Sequence, residues 1–170
     1  MITMTIISLI LAVVAVVLYV IVKNELPASI SAMVYELPKG GWQWSWTVWL
    51  WVVLVLLTPQ LMTVLDDSYK MLGFLTVGCL AFVAAMPLFE RTDRKWHYVL
   101  AIAGGILSQV CVALICPWWL LLWFVMVYLV GRSFAANNDA ENIPEVLNGK
   151  GVFVAEVICM ATVYGAILVN

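Results

Sequence analysis

Residues 2–22 read ITMTIISLILAVVAVVLYVIV, an unbroken apolar run without a charge. As an α-helix it would be about 32 Å long at 1.5 Å per residue, enough to cross the roughly 30 Å hydrocarbon layer of a bilayer. It lacks the basic leading segment of a secretion signal and exceeds the length of a signal's apolar region, so it reads as a retained helix. Five further apolar runs follow, at about 46–65, 71–89, 97–116, 118–133 and 151–169. The fifth is the shortest and opens at Pro117, Trp118 and Trp119, which predicts a tight turn and a hairpin with the fourth.

Backbone amides in lipid must be bonded within their own segment, so runs of this length imply helices. The expected fold is all-α: one polytopic membrane domain of six transmembrane helices spanning residues 1–170. Composition agrees, with 65% hydrophobic and 11% charged residues and a mean hydropathy of +1.07, more apolar than a soluble chain of this size requires. The net charge of −2, without a basic tract, argues against a nucleic-acid partner.

Lysine and arginine mark the two sides. Lys23, Lys39, Arg91, Arg94, Lys95, Arg132 and Lys150 fall in the first, third and fifth connections, whereas Lys70 alone lies opposite. The positive-inside rule then predicts a multi-pass cell-membrane protein with those loops cytoplasmic and both termini on the other side. Trp42, Trp44, Trp46, Trp49, Trp51 and Trp96 gather toward the basic side, where indoles anchor at headgroup depth. In the first loop, Leu26, Ile30, Met33, Val34 and Leu37 recur at helical spacing between Pro27 and Pro38. This predicts a short helix lying in the interface, with Ser29 and Glu36 nearer water.

Polar residues within or beside the spans are the candidates for function. Glu156 is the acid that falls well inside a run, and an ionised carboxylate there must be paired, neutralised or open to water. Gln109 needs a hydrogen-bond partner, and Pro59 between Thr58 and Gln60 predicts a kink in the second helix. Glu90, Asp93 and His97 are three and four residues apart. Asp93 can orient the His97 imidazole for general-base work or headgroup binding, or simply cap the fourth helix. His97, Ala101, Gly104, Ser108 and Cys111 form a narrow stripe suited to close helix approach. Cys79, Cys111, Cys116 and Cys159 lie inside the runs as small packing residues, with neither a disulfide framework nor metal-ligand spacing. No metal or cofactor is expected.

Pro27, Ala28, Ser29, Ile30 and Ser31, followed by Pro38, together with His97, Tyr98, Val99, Leu100 and Ala101, resemble the Frag1/DRAM/Sfk1 group of six-helix membrane proteins. That group carries an Ile-Ser pair before a proline in the first loop and a His-x-x-x-Ala at the fourth helix. The acidic and glycine residues that usually follow the pair are Ala32 and Met33 here. The resemblance implies a lipid-handling or membrane-regulating protein, singles out Ile30, Ser31, Pro38, His97 and Ala101, and places the first loop away from the cytosol, opposite to the charge count.

Three functions are compatible with these residues. One is binding of a lipid or other amphiphile in an interfacial pocket of Ser29, Ser31, Tyr35, Glu90, Asp93 and His97, with attack on an ester by Ser31 and His97 as its catalytic extension. The second is a small proton-coupled transporter using Glu156, Gln109 and the Pro59 kink. The third is a membrane scaffold that packs against a partner membrane protein or a second copy of itself.

Overall fold

The computed structural model describes residues 2–36, 42–85, 94–128 and 151–170. Its helices are α1 (Ile2–Lys23), α2 (Trp42–Val64), α3 (Lys70–Ala85), α4 (Arg94–Ile115), α5 (Pro117–Tyr128) and α6 (Val152–Val169). Two short 3₁₀ turns, Ser31–Glu36 and Asp67–Tyr69, lie between them, and no strand occurs among the described residues. Five helices, all but α5, are long and apolar enough to cross a membrane, counting the Asp67–Tyr69 turn with α3. The expected spans 2–22, 46–65, 97–116 and 151–169 differ from α1, α2, α4 and α6 by no more than four residues at either end. The ends of the third and fifth expected spans lie outside the described residues.

The long helices close into a ring: α1 packs on α2, α2 on α3, α3 on α4, α4 on α6, and α6 back on α1. The shorter α5 leans on α4 and α6 from outside. Cys116 forms the hinge between α4 and α5. Its backbone N–H still bonds Val112, while its carbonyl accepts from Trp119 N–H at 3.2 Å. Pro117 follows at the start of α5, where a missing amide costs nothing.

Burial in α1 runs opposite to the pattern of a water-soluble helix. Its buried residues are Thr5, Ser8, Ala12 and Tyr19, whereas Ile2, Ile10, Leu18, Ile21 and Val22 are exposed. A water-soluble helix turns its aliphatic stripe inward, since each large aliphatic left in water forgoes about 1.5–3 kcal/mol of burial. Here small and hydroxyl residues face the neighbouring helices, and Ser8 donates to the Val53 carbonyl of α2 at 2.9 Å. Other side chains also reach backbone carbonyls of adjacent helices, among them Thr47 to Ala84 at 2.8 Å, Trp49 to Leu11 at 3.0 Å and Trp51 to Ala81 at 3.2 Å.

The first loop carries the short helix expected there, but packed among the helices of the bundle. It forms a 3₁₀ turn, and Ile30, Met33 and Val34 insert between helices beside Tyr19, Trp46 and Phe153, while Leu26 is exposed. The predicted apolar face exists, but three of its side chains meet protein rather than an interface. The tryptophan belt is divided for the same reason. Trp44, Trp51 and Trp96 are exposed, whereas Trp46 is buried and Trp49 packs beside it, held by its bond to Leu11. Trp42 lies at the start of α2, with its side chain outside the described residues.

At the opposite end, Asp66 caps the turn into α3 by accepting the Ser68 N–H at 2.9 Å. Lys70 pairs with Asp67. Pro59 sits within α2 and deletes the amide that would bond the Val55 carbonyl, yet the helix continues to Val64.

Candidate functional site

Helix α6 carries Glu156, Cys159 and Thr162 at three-residue intervals, which keeps successive members on neighbouring positions of its surface. Helix α4 lies alongside and supplies Ser108 and Gln109. Gln109 is the centre of the contact. Its Oε1 accepts from Trp123 Nε1 at 2.8 Å and from Thr162 Oγ1 at 3.0 Å. Its Nε2 donates to Ser108 Oγ at 3.2 Å and to Cys159 Sγ at 3.4 Å. The partners that the sequence left unnamed for Gln109 therefore come from α4, α5 and α6 together.

Glu156 lies one turn nearer the first loop and is half-buried. Its carboxylate accepts the backbone N–H of Ile30. Ser29 and Ser31 flank that amide and share a hydrogen bond at 3.1 Å. Ser29 Oγ also accepts from Ala32 N–H at 2.9 Å, closing the loop on itself. No ion pair involves Glu156 among the described residues. A polar file thus runs from the Ser29–Ser31 backbone through Glu156 and Cys159 to Gln109 and Thr162. The loop end of this file was hidden in the sequence, because an amide donor carries no side-chain signature.

His97 is buried on the first turns of α4, its ring 5.9 Å from that of Tyr98 and nearly perpendicular to it. Its Nδ1 has no hydrogen-bond partner among the described residues. No hydrogen bond joins it to Ser29 or Ser31, whose hydroxyls bond each other. Glu90 and Asp93 lie outside the described residues. Tyr35 is placed on the 3₁₀ turn by its backbone, with its side chain also outside them. Of the six residues expected to form an interfacial pocket, the structure therefore brings Ser29 and Ser31 together and sets Glu156 beside them.

The small-residue stripe of α4 is occupied by the chain's own helices. A Cβ on Gly104 would lie 3.1 Å from the Leu80 side chain and 3.2 Å from that of Cys79. Cys111 meets Thr76 at 3.7 Å, and Ser108 faces Cys159 at 4.0 Å. All four cysteines are free thiols. Among the described residues, no three His, Cys, Asp or Glu side chains gather in a metal-binding group.

A second buried network escaped the sequence reading. Ser8 of α1 bonds the hydroxyl of Tyr164 in α6 at 2.6 Å. Each is a polar group within an apolar run, and that was the available signal. Two shallow apolar grooves, along α2 beside Trp51 and Val55 and along α5 beside Trp118 and Val125, do not include the polar file. No protein-family model, curated protein or solved structure matches this chain.

Proposed function

We propose that this chain is a multi-pass integral membrane protein in which Glu156 is a proton-binding group, and that the file behind it serves a small proton-coupled carrier. Membrane residence is supported by the five long apolar helices and by the outward-facing aliphatic residues of α1. In lipid those residues are at home, and the hydroxyls gathered inside bond across helices, as transmembrane packing favours. Six spans, with the Lys23 and Arg94 ends of the helices toward the cytoplasm and both termini opposite, are the arrangement that the charge distribution favours.

The observation that carries the carrier reading is the Glu156 carboxylate on the backbone N–H of Ile30, at the head of a line of hydrogen-bonding groups inside the bundle. An acid in a transmembrane helix is costly unless it has work or a partner, and here its bonded partner is a neutral amide. The test is proton flux into vesicles containing the purified protein and a pH-sensitive dye, under an imposed gradient. Glu156→Gln is expected to abolish protein-dependent flux and Gln109→Leu to reduce it. Full flux through Glu156→Gln would overturn the reading.

A second reading, binding of a polar lipid head, draws on Ser29 and Ser31 beside Glu156, on the buried His97 Nδ1, which has no partner among the described residues, and on the resemblance carried by Ile30, Ser31, Pro38, His97 and Ala101. It predicts headgroup-selective lipid retention on purification that Ser31→Ala and His97→Ala each weaken. Equal retention by all three proteins would remove it.

A further inference from the structure

We infer that the first-loop segment Ser29–Val34 is a removable stopper over the polar file, seated by apolar insertion and latched by Glu156. The inference rests on the carrier reading for what the file does, but the stopper has its own geometry. Ile30, Met33 and Val34 are buried against Tyr19, Trp46 and Phe153, which belong to three different helices. One helical turn along α6 from Glu156 lies Cys159, which is partly exposed and whose thiol touches Gln109. The segment is thus bonded to the loop-side end of the file, at Glu156.

Three features make the segment separable from the bundle. Its regular structure is one short 3₁₀ turn, a weak element by itself, held at its start by Ser29. Its connection to α1 passes through Asn24, which adopts φ 55°, and whose N–H bonds the Val20 carbonyl to end the helix. The left-handed conformation at Asn24 breaks the path of α1 and provides a pivot. Finally, among the described residues the polar hold of Ser29–Val34 on another helix runs through the bond from the Ile30 N–H to the Glu156 carboxylate. Hydrogen bonds to charged acceptors are the strong ones, so the state of that single side chain sets how firmly the segment is seated.

Two readouts on the full-length protein in nanodiscs test the stopper. One is hydrogen–deuterium exchange over residues 29–34. The other is modification of Cys159 by a charged, water-soluble methanethiosulfonate, followed by mass spectrometry, with buried Cys111 as the internal control for an intact bundle. Two variants attack different parts of the device: Glu156→Gln weakens the latch, and Met33→Ser with Val34→Ser loosens the seat. In both, exchange and Cys159 modification are expected to rise together by about 10- to 100-fold, the range of a lost charge-assisted bond, with Cys111 unmodified.

Rising exchange without Cys159 modification would show that the segment covers nothing, and would overturn the inference. So would neither readout moving in Glu156→Gln. If the double serine variant exposes Cys111 as well, its bundle has opened and Glu156→Gln alone decides. If both readouts rise but Glu156→Gln still passes protons, the stopper stands and the carrier falls. If flux is lost while neither readout moves, the reverse holds.

Discussion

The indole of Trp119 covers Gly165: a Cβ built on that glycine would fall 2.5 Å from the ring. The contact joins the first turn of α5 to the buried face of α6, and only a residue without a side chain allows it. Gly165→Ala is expected to destabilise the protein by about 1–3 kcal/mol, the usual cost of overpacking. Thermal unfolding of the purified protein, followed by intrinsic fluorescence, measures this. Shrinking the ring in the double variant with Trp119→Leu is expected to recover part of the loss.

Gln109 joins α4, α5 and α6 through one amide. Gln109→Leu leaves Trp123 Nε1 without that acceptor, and a polar group so stranded costs about 1–3 kcal/mol, whereas Thr162 Oγ1 keeps the Cys159 carbonyl at 2.8 Å. A double-mutant cycle with Trp123→Phe isolates the pair, and a coupling of about 0.5–3 kcal/mol is expected. Additive effects would mean that the 2.8 Å bond contributes nothing measurable.

Tyr164→Phe removes the hydroxyl that meets Ser8 and keeps the ring. The loss is expected to be about 0.5–1.5 kcal/mol, because Ser8 retains its bond to the Val53 carbonyl. Ser8→Ala breaks both bonds and is expected to cost more in the same unfolding assay.

Asp66 sets a pH dependence outside the helices. The Ser68 backbone N–H lowers its pKa below the ordinary 3.8, helped by the Ser68 side chain and by the nearby charge of Lys70. A depressed carboxylate stabilises the fold above its unfolded pKa, and that contribution fades as pH falls through the lower, folded value. The α2–α3 turn is therefore expected to loosen only below about pH 4. Asp66→Asn, which still presents an oxygen to Ser68, is expected to remove the dependence. Hydrogen exchange at the amides of Ser68 and Tyr69, corrected for intrinsic rate across pH 3–6, reads it out.

Periodicity and run length were enough to locate the long helices, because an apolar run of about twenty residues has one economical backbone solution. Inward and outward faces were harder to read. Hydropathy does not separate Trp46, which is buried, from Trp44, which is exposed, since both are indoles two residues apart on the same helix. The first loop shows the same limit. Ile30, Met33 and Val34 have the spacing of an apolar face, but spacing does not say whether that face meets lipid or protein. Gln109 and Glu156 were recognisable as polar groups in need of partners. Those partners, the Trp123 indole and the Ile30 amide, are 14 and 126 residues away along the chain and are ordinary until folding brings them near.

The bond between Ser8 and Tyr164 spans 156 positions, and it joins the helices that close the ring. During synthesis α1 emerges before any other helix described here, and it waits while α2, α3, α4 and α5 are made before α6 can reach it. Until then the Ser8 hydroxyl lacks its tyrosine, and the flank of α1 that carries Thr5 and Ala12 has no α6 against it. Closure is thus a long-range assembly step that carries its own entropic cost, and for that interval the growing chain offers an unfinished edge to whatever chaperone attends it.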